Sequence, residues 1–470
     1  MRTASSSANS VGRKSTPATW GDLLREALDW ALTDRMFAGL SRHGNTGWTP
    51  RQLIVLVVLW VWSDRNTLTR AFAQARRLAM NMTGEVAVTT YQGLTGAMKV
   101  HSDSLLPRMQ QRLHTLMKRV GGNHWRIGKW LPLAVDGSRT DTPRTKSNEA
   151  AFAVKNYGRG KKARSRRKWK NKKRRSRKLP VQVRPQIWLT LLWHMGLKMP
   201  WSWKTGPTNA SERHDLMDLL KLESFPKNTL FCGDAGFVGY ELWETILSSG
   251  HQFLVRVGGN VTLLTDLPGV SIRGDVVCFW PRTATRKKLP PLVLRLIEIQ
   301  NERGRMFLLT SILSRRDLSH ARAIKLYRMR WGIELQFRSL KQTFGRGRLH
   351  SRSAECAIVE LDWSLIGLWM VQLFAVKEQI KVDRPPEGSS VSLSLSLIQE
   401  VMEQWSEPAS KPTALQSQLR DAVHDTYQRR RSKQSRYRAT QKDKPSATGP
   451  RLIKANPQQQ VAWQQLKQVP

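Results

Sequence analysis

Acids are scarce in this chain: across 470 residues, 35 Asp and Glu face 78 Lys and Arg, a formal charge of +43. An excess of that size repels itself in the compact state and calls for a polyanion, of which nucleic acid is the commonest. Cysteine is nearly missing as well. Cys232, Cys278 and Cys356 are scattered and odd in number, which fits neither a disulfide framework nor a zinc site and suits a reducing cytoplasm. Long apolar runs are lacking too. The opening MRTASSSANSVGRKSTPATW has no apolar stretch of the kind a signal peptide needs. The longest such run, LIVLVVLWVW from Leu53 to Trp62, is about half of the ~20 residues a spanning helix requires. Thr49 and Pro50 ahead of it read as the N-cap and first position of a buried helix. With no lipidation signal or basic amphipathic anchor, a membrane partner is not expected.

What is present divides into five stretches, with changes of texture near residues 125, 257, 313 and 380. Residues 1 to 18 are Ser, Thr and Ala rich and read as disordered. From Trp20 to about Val120 apolar residues recur every three or four positions, a helical pattern. Within it, TLTRAFAQARRLAMNMTGEVAVTTYQGLTGAMK allows two short helices around a turn at Gly84. A helix-turn-helix there competes with plain helical packing. From Trp130 strands and helices alternate: WLPLAVDGSRTD, QVRPQIWLTLLWHM, PWSWKTG, helix ASERHDLMDLLKL, strand NTLFCGDAGF, helix YELWETILSSG, strand HQFLVRV. Such alternation predicts an α/β layer architecture. Residues 258 to 313 read as an all-β insertion, then helix resumes at Ser319–Lys341 and from Glu355 to about Lys377. After Arg384 one amphipathic helix, SLSLIQEVMEQW, precedes a basic, Gln- and Ser-rich end expected to be disordered.

One run stands apart. RGKKARSRRKWKNKKRRSRK, 159 to 178 in a loop starting near 158, carries fourteen Lys or Arg and no acid. Self-repulsion predicts a loop that stays unfolded until phosphate neutralises it, and each neutralised phosphate releases counterions.

Against this basic background, three acids draw attention. Asp136 and Asp234 each end an apolar strand, the place where an α/β sheet opens to ligands. Either alone is also an ordinary strand-end turn residue. Glu334 lies inside YRMRWGIELQFRSLK, 327 to 341, among Arg328, Arg330, Arg338 and Lys341. An i,i+4 ion pair with Arg330 or Arg338 is the simplest explanation, worth ~0.2–0.5 kcal/mol. Helical spacing, however, puts Tyr327, Arg330, Glu334 and Lys341 on one narrow stripe, and the pair alone does not explain that.

The pattern Tyr-x2-Arg-x3-Glu-x6-Lys resembles the signature of the IS4-type family of DDE transposases, with every spacing intact. LLTSIL before it and LHSRSAECAIVELDW after it resemble the same family's catalytic segment, as do VDGSRTD around Asp136 and CGDAGF around Asp234; Asp141 competes with Asp136 for the first acid. The resemblance covers about residues 128 to 375. It implies a ribonuclease-H-like catalytic core (126–257 and 314–380) with the β insertion (258–313), a helical N-terminal domain (1–125) that takes part in DNA-end binding, and a C-terminal helix and basic tail (381–470). It also implies that Asp136, Asp234 and Glu334 bind two divalent ions, Mg²⁺ or Mn²⁺, and that Tyr327, Arg330 and Lys341 contact phosphates. The expected activity is cleavage and strand transfer on double-stranded DNA, at terminal inverted repeats and target DNA. A dimer or higher assembly on paired ends, in a prokaryotic cytoplasm near the nucleoid, follows from it. A nuclease of similar fold without strand transfer, and an inactive basic DNA-binding protein, are the rivals. Trp331 reads as packing, Trp280 as a weak candidate for base stacking, and His194, His214 and His350 as structural or surface residues.

Overall fold

The computed structural model describes residues 17–40, 47–84, 86–153, 184–268, 274–301, 304–424 and 448–467. The expected disorder of residues 1 to 18 falls almost wholly outside the described residues, as does the basic run at 158–178.

Four helices open the fold: α1 (Trp20–Ala31), α2 (Pro50–Trp62), α3 (Leu68–Thr83) and α4 (Tyr91–Gly121). Each starts behind a threonine, Thr19, Thr49, Thr67 or Thr90, whose hydroxyl accepts the backbone N–H three residues on. That bond satisfies one of the orphan donors of a helix N-terminus. Gly84 closes α3 at a φ of +82°, where a side chain would be strained. The turn expected at Gly84 is therefore present, but the two short helices are not. α4 runs 31 residues, continuing past Pro107, and the Gly84–Thr90 connection exceeds the three or four residues of a helix-turn-helix.

The sheet comprises β1 (Leu131–Asp141), β2 (Gln186–His194), β3 (Met199–Gly206), β4 (Thr229–Gly233), β5 (Gln252–Val257), β6 (Thr262–Asp266), β7 (Val276–Phe279), β8 (Leu292–Asn301), β9 (Gly304–Thr310) and β10 (Arg451–Lys454). Between and after them lie α5 (Lys146–Phe152), α6 (Glu212–Leu222), α7 (Tyr240–Ser248), α8 (Arg282–Arg286), α9 (His320–Met329), α10 (Gly332–Arg338), α11 (Ala354–Ile380), α12 (Val391–Glu403), α13 (Ala414–Asp421) and α14 (Pro457–Lys467). Among the described residues all ten strands form one mixed sheet, ordered β10-β6-β7-β8-β9-β5-β4-β1-β2-β3. β1, β4 and β5 run parallel, while β2 and β3 turn back antiparallel at one edge.

Two expectations need correction. The 258–313 segment is not all β: α8 interrupts it, and β9 pairs antiparallel with β5 so that its strands continue the same sheet. Residues 405–424 and 448–467, expected to be disordered, are ordered, while 425–447 and 468–470 lie outside the described residues. α13 packs in, β10 adds to β6 in parallel, and Trp463 Nε1 donates to the Pro268 carbonyl at 2.8 Å. All four β10 residues are exposed, so they show no alternation that a sequence reading could detect. The unpaired backbone groups of an edge strand are what hold them.

α11 is the spine on which the N-terminal helices rest. It alone among the described helices is long and apolar enough to cross a membrane, and 94% of its apolar window is buried inside the protein. Trp62 Nε1 of α2 donates to the Gly367 carbonyl at 3.0 Å, and Trp363 Nε1 donates to Ser102 of α4 at 2.9 Å. Indoles of this kind bury ~150–250 Å² each, so α2 and α4 are bound to α11 by area as well as by the two bonds.

Asp362, on the same helix, accepts from Trp203 Nε1 at 2.7 Å. Burial pushes its pKa up to about 7, more than the Trp203 bond lowers it. The folded state thus holds this proton longer than the unfolded chain. Its contribution to stability is full below about pH 4 and is lost as pH rises toward 7. Asp362→Asn keeps the acceptor for Trp203. Urea midpoints should favour Asp362→Asn over wild type by more at pH 8 than at pH 5, and equal gaps at both would show an ordinary carboxyl.

Candidate functional site

β1 and β4 pair in parallel from Leu131 opposite Thr229 to Ala134 opposite Cys232. Two residues further on each strand carries an acid, so Asp136 and Asp234 stand level where the strands part. Each is steadied by a glycine: Gly137 N–H donates to Asp136 Oδ1 at 2.9 Å, and Gly236 N–H to Asp234 Oδ1 at 2.7 Å. Asp141 lies five residues along β1, hence on the other face by strand alternation. Its carboxylate accepts from Gln186 Nε2 at 2.6 Å. The structure places Asp136 beside Asp234, and Asp141 away from both.

Two helical layers reach these strand ends. Thr190, opposite Gly137, donates to Asp215 of α6 at 2.6 Å, so α6 covers the face shared by Gly137 and Arg139. On the other face Lys341 Nζ donates to Ser138 Oγ at 2.6 Å, and Trp193, opposite Ala134, donates to Gln336 of α10 at 3.3 Å. The continuous Ser319–Lys341 helix expected from the sequence is broken here. The N–H groups of Trp331, Ile333 and Glu334 bond only three residues back, at 3.3, 3.1 and 3.1 Å, and Ser339–Thr343 form a wide π turn. Trp193 accompanies the break: a Cβ on Gly332 would lie 2.1 Å from its ring, so the indole occupies the space a side chain would need. The four stripe residues differ in exposure. Tyr327 and Arg330 are buried, Lys341 is half-buried and Glu334 is exposed.

Arg330 is the hub. Its Nη1 lies 3.9 Å from Asp136 Oδ2, its guanidinium sits 5.5 Å from the Tyr327 ring and 5.1 Å from the Trp331 ring, and its Nε is buried without a hydrogen-bond partner. No ion pair joins Glu334 to Arg330 or Arg338 among the described residues, so the simple i,i+4 explanation for Glu334 fails. Burial raises the Asp136 pKa; the Gly137 N–H and Arg330 lower it, and the charges of Asp234 and Glu334 raise it further. Asp234 and Glu334 therefore both lie within electrostatic reach of Asp136. Burial likewise raises the Tyr327 pKa, keeping a neutral phenol beside Arg330, and lowers that of Lys341 against the opposing pull of Asp141.

A fourth acid escaped the sequence reading. Glu212, the first residue of α6, has a pKa raised to about 7 by burial and then by Asp136, Asp234 and Asp215, with Arg139 opposing. Its only signal is an acid directly after the N-cap Ser211, which resembles ordinary helix-start chemistry.

The donors here are hard carboxylate oxygens, the set that suits Mg²⁺ or Mn²⁺ rather than zinc. Cys232 is buried with its thiol pushed up to about 12 and offers no competing soft ligand. Among the described residues no three His, Cys, Asp or Glu side chains converge at ligand distance. Elsewhere, His194 is fully buried, its pKa lowered by that burial to about 3, while His214 and His350 are exposed. Trp280 is buried and donates to the Leu289 carbonyl at 2.8 Å, so it has no free face for a base. Trp331, expected to be packing, is 53% exposed and lines a cleft of about 510 Å³ with Glu334, Arg328 and Arg338.

The family described as "Transposase DDE domain" matches residues 131–368. The transposase InsG for insertion sequence element IS4 of Escherichia coli (strain K12) is 27% identical over 271 residues, 55% of this chain and 55% of that protein. The match thus spans about half the length of that relative. A cryo-EM structure of the piggyBac transposase synaptic complex with hairpin DNA aligns at 10% identity with a TM-score of 0.36, over 87% of this chain and 85% of that one, a likeness too loose to carry an argument.

The packing of Trp193 against Gly332 is testable by itself. Gly332→Val should destabilise the protein by ~1–3 kcal/mol through overpacking, read as a lowered urea midpoint. An unchanged midpoint would show that the indole moves aside freely.

Proposed function

The chain belongs to the DDE transposases of the IS4 type, and on that premise we propose that it is a metal-dependent DNA transposase of a bacterial insertion sequence. It binds the element's terminal inverted repeats, cuts there and joins the freed ends to target DNA. We read β3-β2-β1-β4-β5 with its flanking helices as the ribonuclease-H-like core that the family implies. The observation that carries this reading is the level placement of Asp136 and Asp234 on adjacent parallel strands, with Arg330 against Asp136.

In this reading Asp136, Asp234 and Glu334 hold two divalent cations. When bound, such cations activate an attacking oxygen and stabilise a leaving one in in-line phosphoryl transfer. Water is the first nucleophile, and the freed 3′-hydroxyl of the element end the second. Arg330, fixed between Tyr327 and Asp136, orients the Asp136 carboxylate and presents a cation where a phosphate arrives. Lys341 exchanges its Ser138 bond for a phosphate oxygen as a mobile point charge. Residues 159–178 add sequence-independent grip on the DNA backbone. The partners are the terminal repeats and target DNA, engaged by a dimer or larger assembly on paired ends in the cytoplasm near the nucleoid.

Asp136→Asn, Asp234→Asn and Glu334→Gln should each abolish cleavage of terminal-repeat DNA in Mg²⁺ while binding to the ends stays within a few-fold of wild type. Asp141→Asn should still cleave. Wild-type cutting by any of the first three would remove that acid from the site, and cutting without transfer into a target plasmid would favour a nuclease. Deleting residues 159 to 178 should make the fall of log K with log salt shallower. An identical slope would show that the run does not touch phosphate.

A further inference from the structure

The triad leaves one neighbouring carboxylate without a task. Glu212 begins α6 in the layer opposite Arg330 and Glu334, and Gly137 makes room for its carboxyl beside Asp136. A Cβ on Gly137, the residue after Asp136, would lie 2.6 Å from Glu212 Oε1. A Cβ on Gly236, two residues after Asp234, would lie 3.7 Å from Glu212 Oε2 and 2.9 Å from Asp234 Oδ1. One oxygen thus lies against each acid-bearing segment, so the carboxylate straddles the gap where β1 and β4 part.

A carboxylate pressed against two others is unfavourable unless something positive fits between them. On the far side of Asp136, the buried Arg330 carries a partnerless Nε–H, a donor that a phosphate oxygen would satisfy. Resting on the metal-dependent reading above, we infer that Glu212 is a fourth carboxylate of the cation site, closing it from the α6 side. Its raised pKa agrees with this placement. The competing explanation is an acid that merely favours the positive end of α6. That role places no demand on Gly137, and Gln would fill it with little loss.

The test titrates Mn²⁺ into the DNA-free, full-length protein, with unbound Mn²⁺ followed by electron paramagnetic resonance, and melts each variant in EDTA to check folding. Glu212→Gln, close in shape to the native residue, should weaken Mn²⁺ binding at least tenfold, within the 10–100-fold range for residues that support a metal site, with an unchanged melting curve. Asp136→Asn is the control. If it loses Mn²⁺ while Glu212→Gln binds like wild type, this inference fails and the triad stands. If both bind like wild type, the metal-dependent reading fails and this inference with it. Should Glu212→Gln not fold, Glu212→Asp keeps the charge and retracts it by one methylene. Several-fold weaker Mn²⁺ binding is then expected, and wild-type affinity overturns the proposal.

Discussion

The parallel register of β1 with β4 fixes everything else at the site. Because the two strands run the same way and separate just past Ala134 and Cys232, the acids that follow arrive level, from positions nearly a hundred residues apart in sequence. An antiparallel pair would have sent them to opposite ends of the sheet. The arrangement has a cost. Like charges within a few ångströms oppose one another, and burial adds a desolvation penalty, as the raised pKa values of Asp136 and Glu212 register. Arg330 offsets part of this. Unit charges ~4 Å apart attract by about 4 kcal/mol at an effective dielectric of ~20, before desolvation is charged against them.

That arithmetic explains why Arg330 is buried and Glu334 is not. A guanidinium that must counter Asp136 without releasing its hold has to be fixed by packing, and the Tyr327 and Trp331 rings supply the walls. Glu334 has the opposite requirement. Pressed into the same space without a cation, it would add a further negative charge; on the exposed side of the broken α9–α10 junction it stays hydrated. The Trp193 indole over Gly332 is thus more than filler, since the tightened turn it accompanies sets where Glu334 points.

Much of the fold was legible because its signals are local. The Thr and Ser caps, the Thr49-Pro50 helix start and the apolar strand ending just before Asp234 depend on neighbours within a few residues; the strand through Asp136 instead continues to Asp141. What stayed illegible depends on contacts far away in sequence. The break at Arg330–Trp331 has helical residues on both sides, and what packs there is Trp193, nearly 140 positions earlier. The β10 segment has no pattern of its own and is held by an edge strand. Glu212 looked like helix-start chemistry because the glycine that gives it meaning, Gly137, lies on β1. Trp280, only a weak candidate for stacking, is covered, and Trp331, expected to pack, is half exposed with its ring against Arg330: whether an indole is covered is decided by tertiary packing, and a chain with nineteen tryptophans gives composition no power to choose.

The strongly positive chain and its small nest of acids form one electrostatic design. Away from the cleft, the large excess of Lys and Arg favours a polyanion, yet a bare carboxylate cluster would repel the phosphates those cations attract. Divalent ions resolve the conflict because each neutralises acids and phosphate together. Binding of the cations and of DNA should therefore be mutually favourable, since any ligand preferring the closed arrangement of the acids lowers the cost for the next.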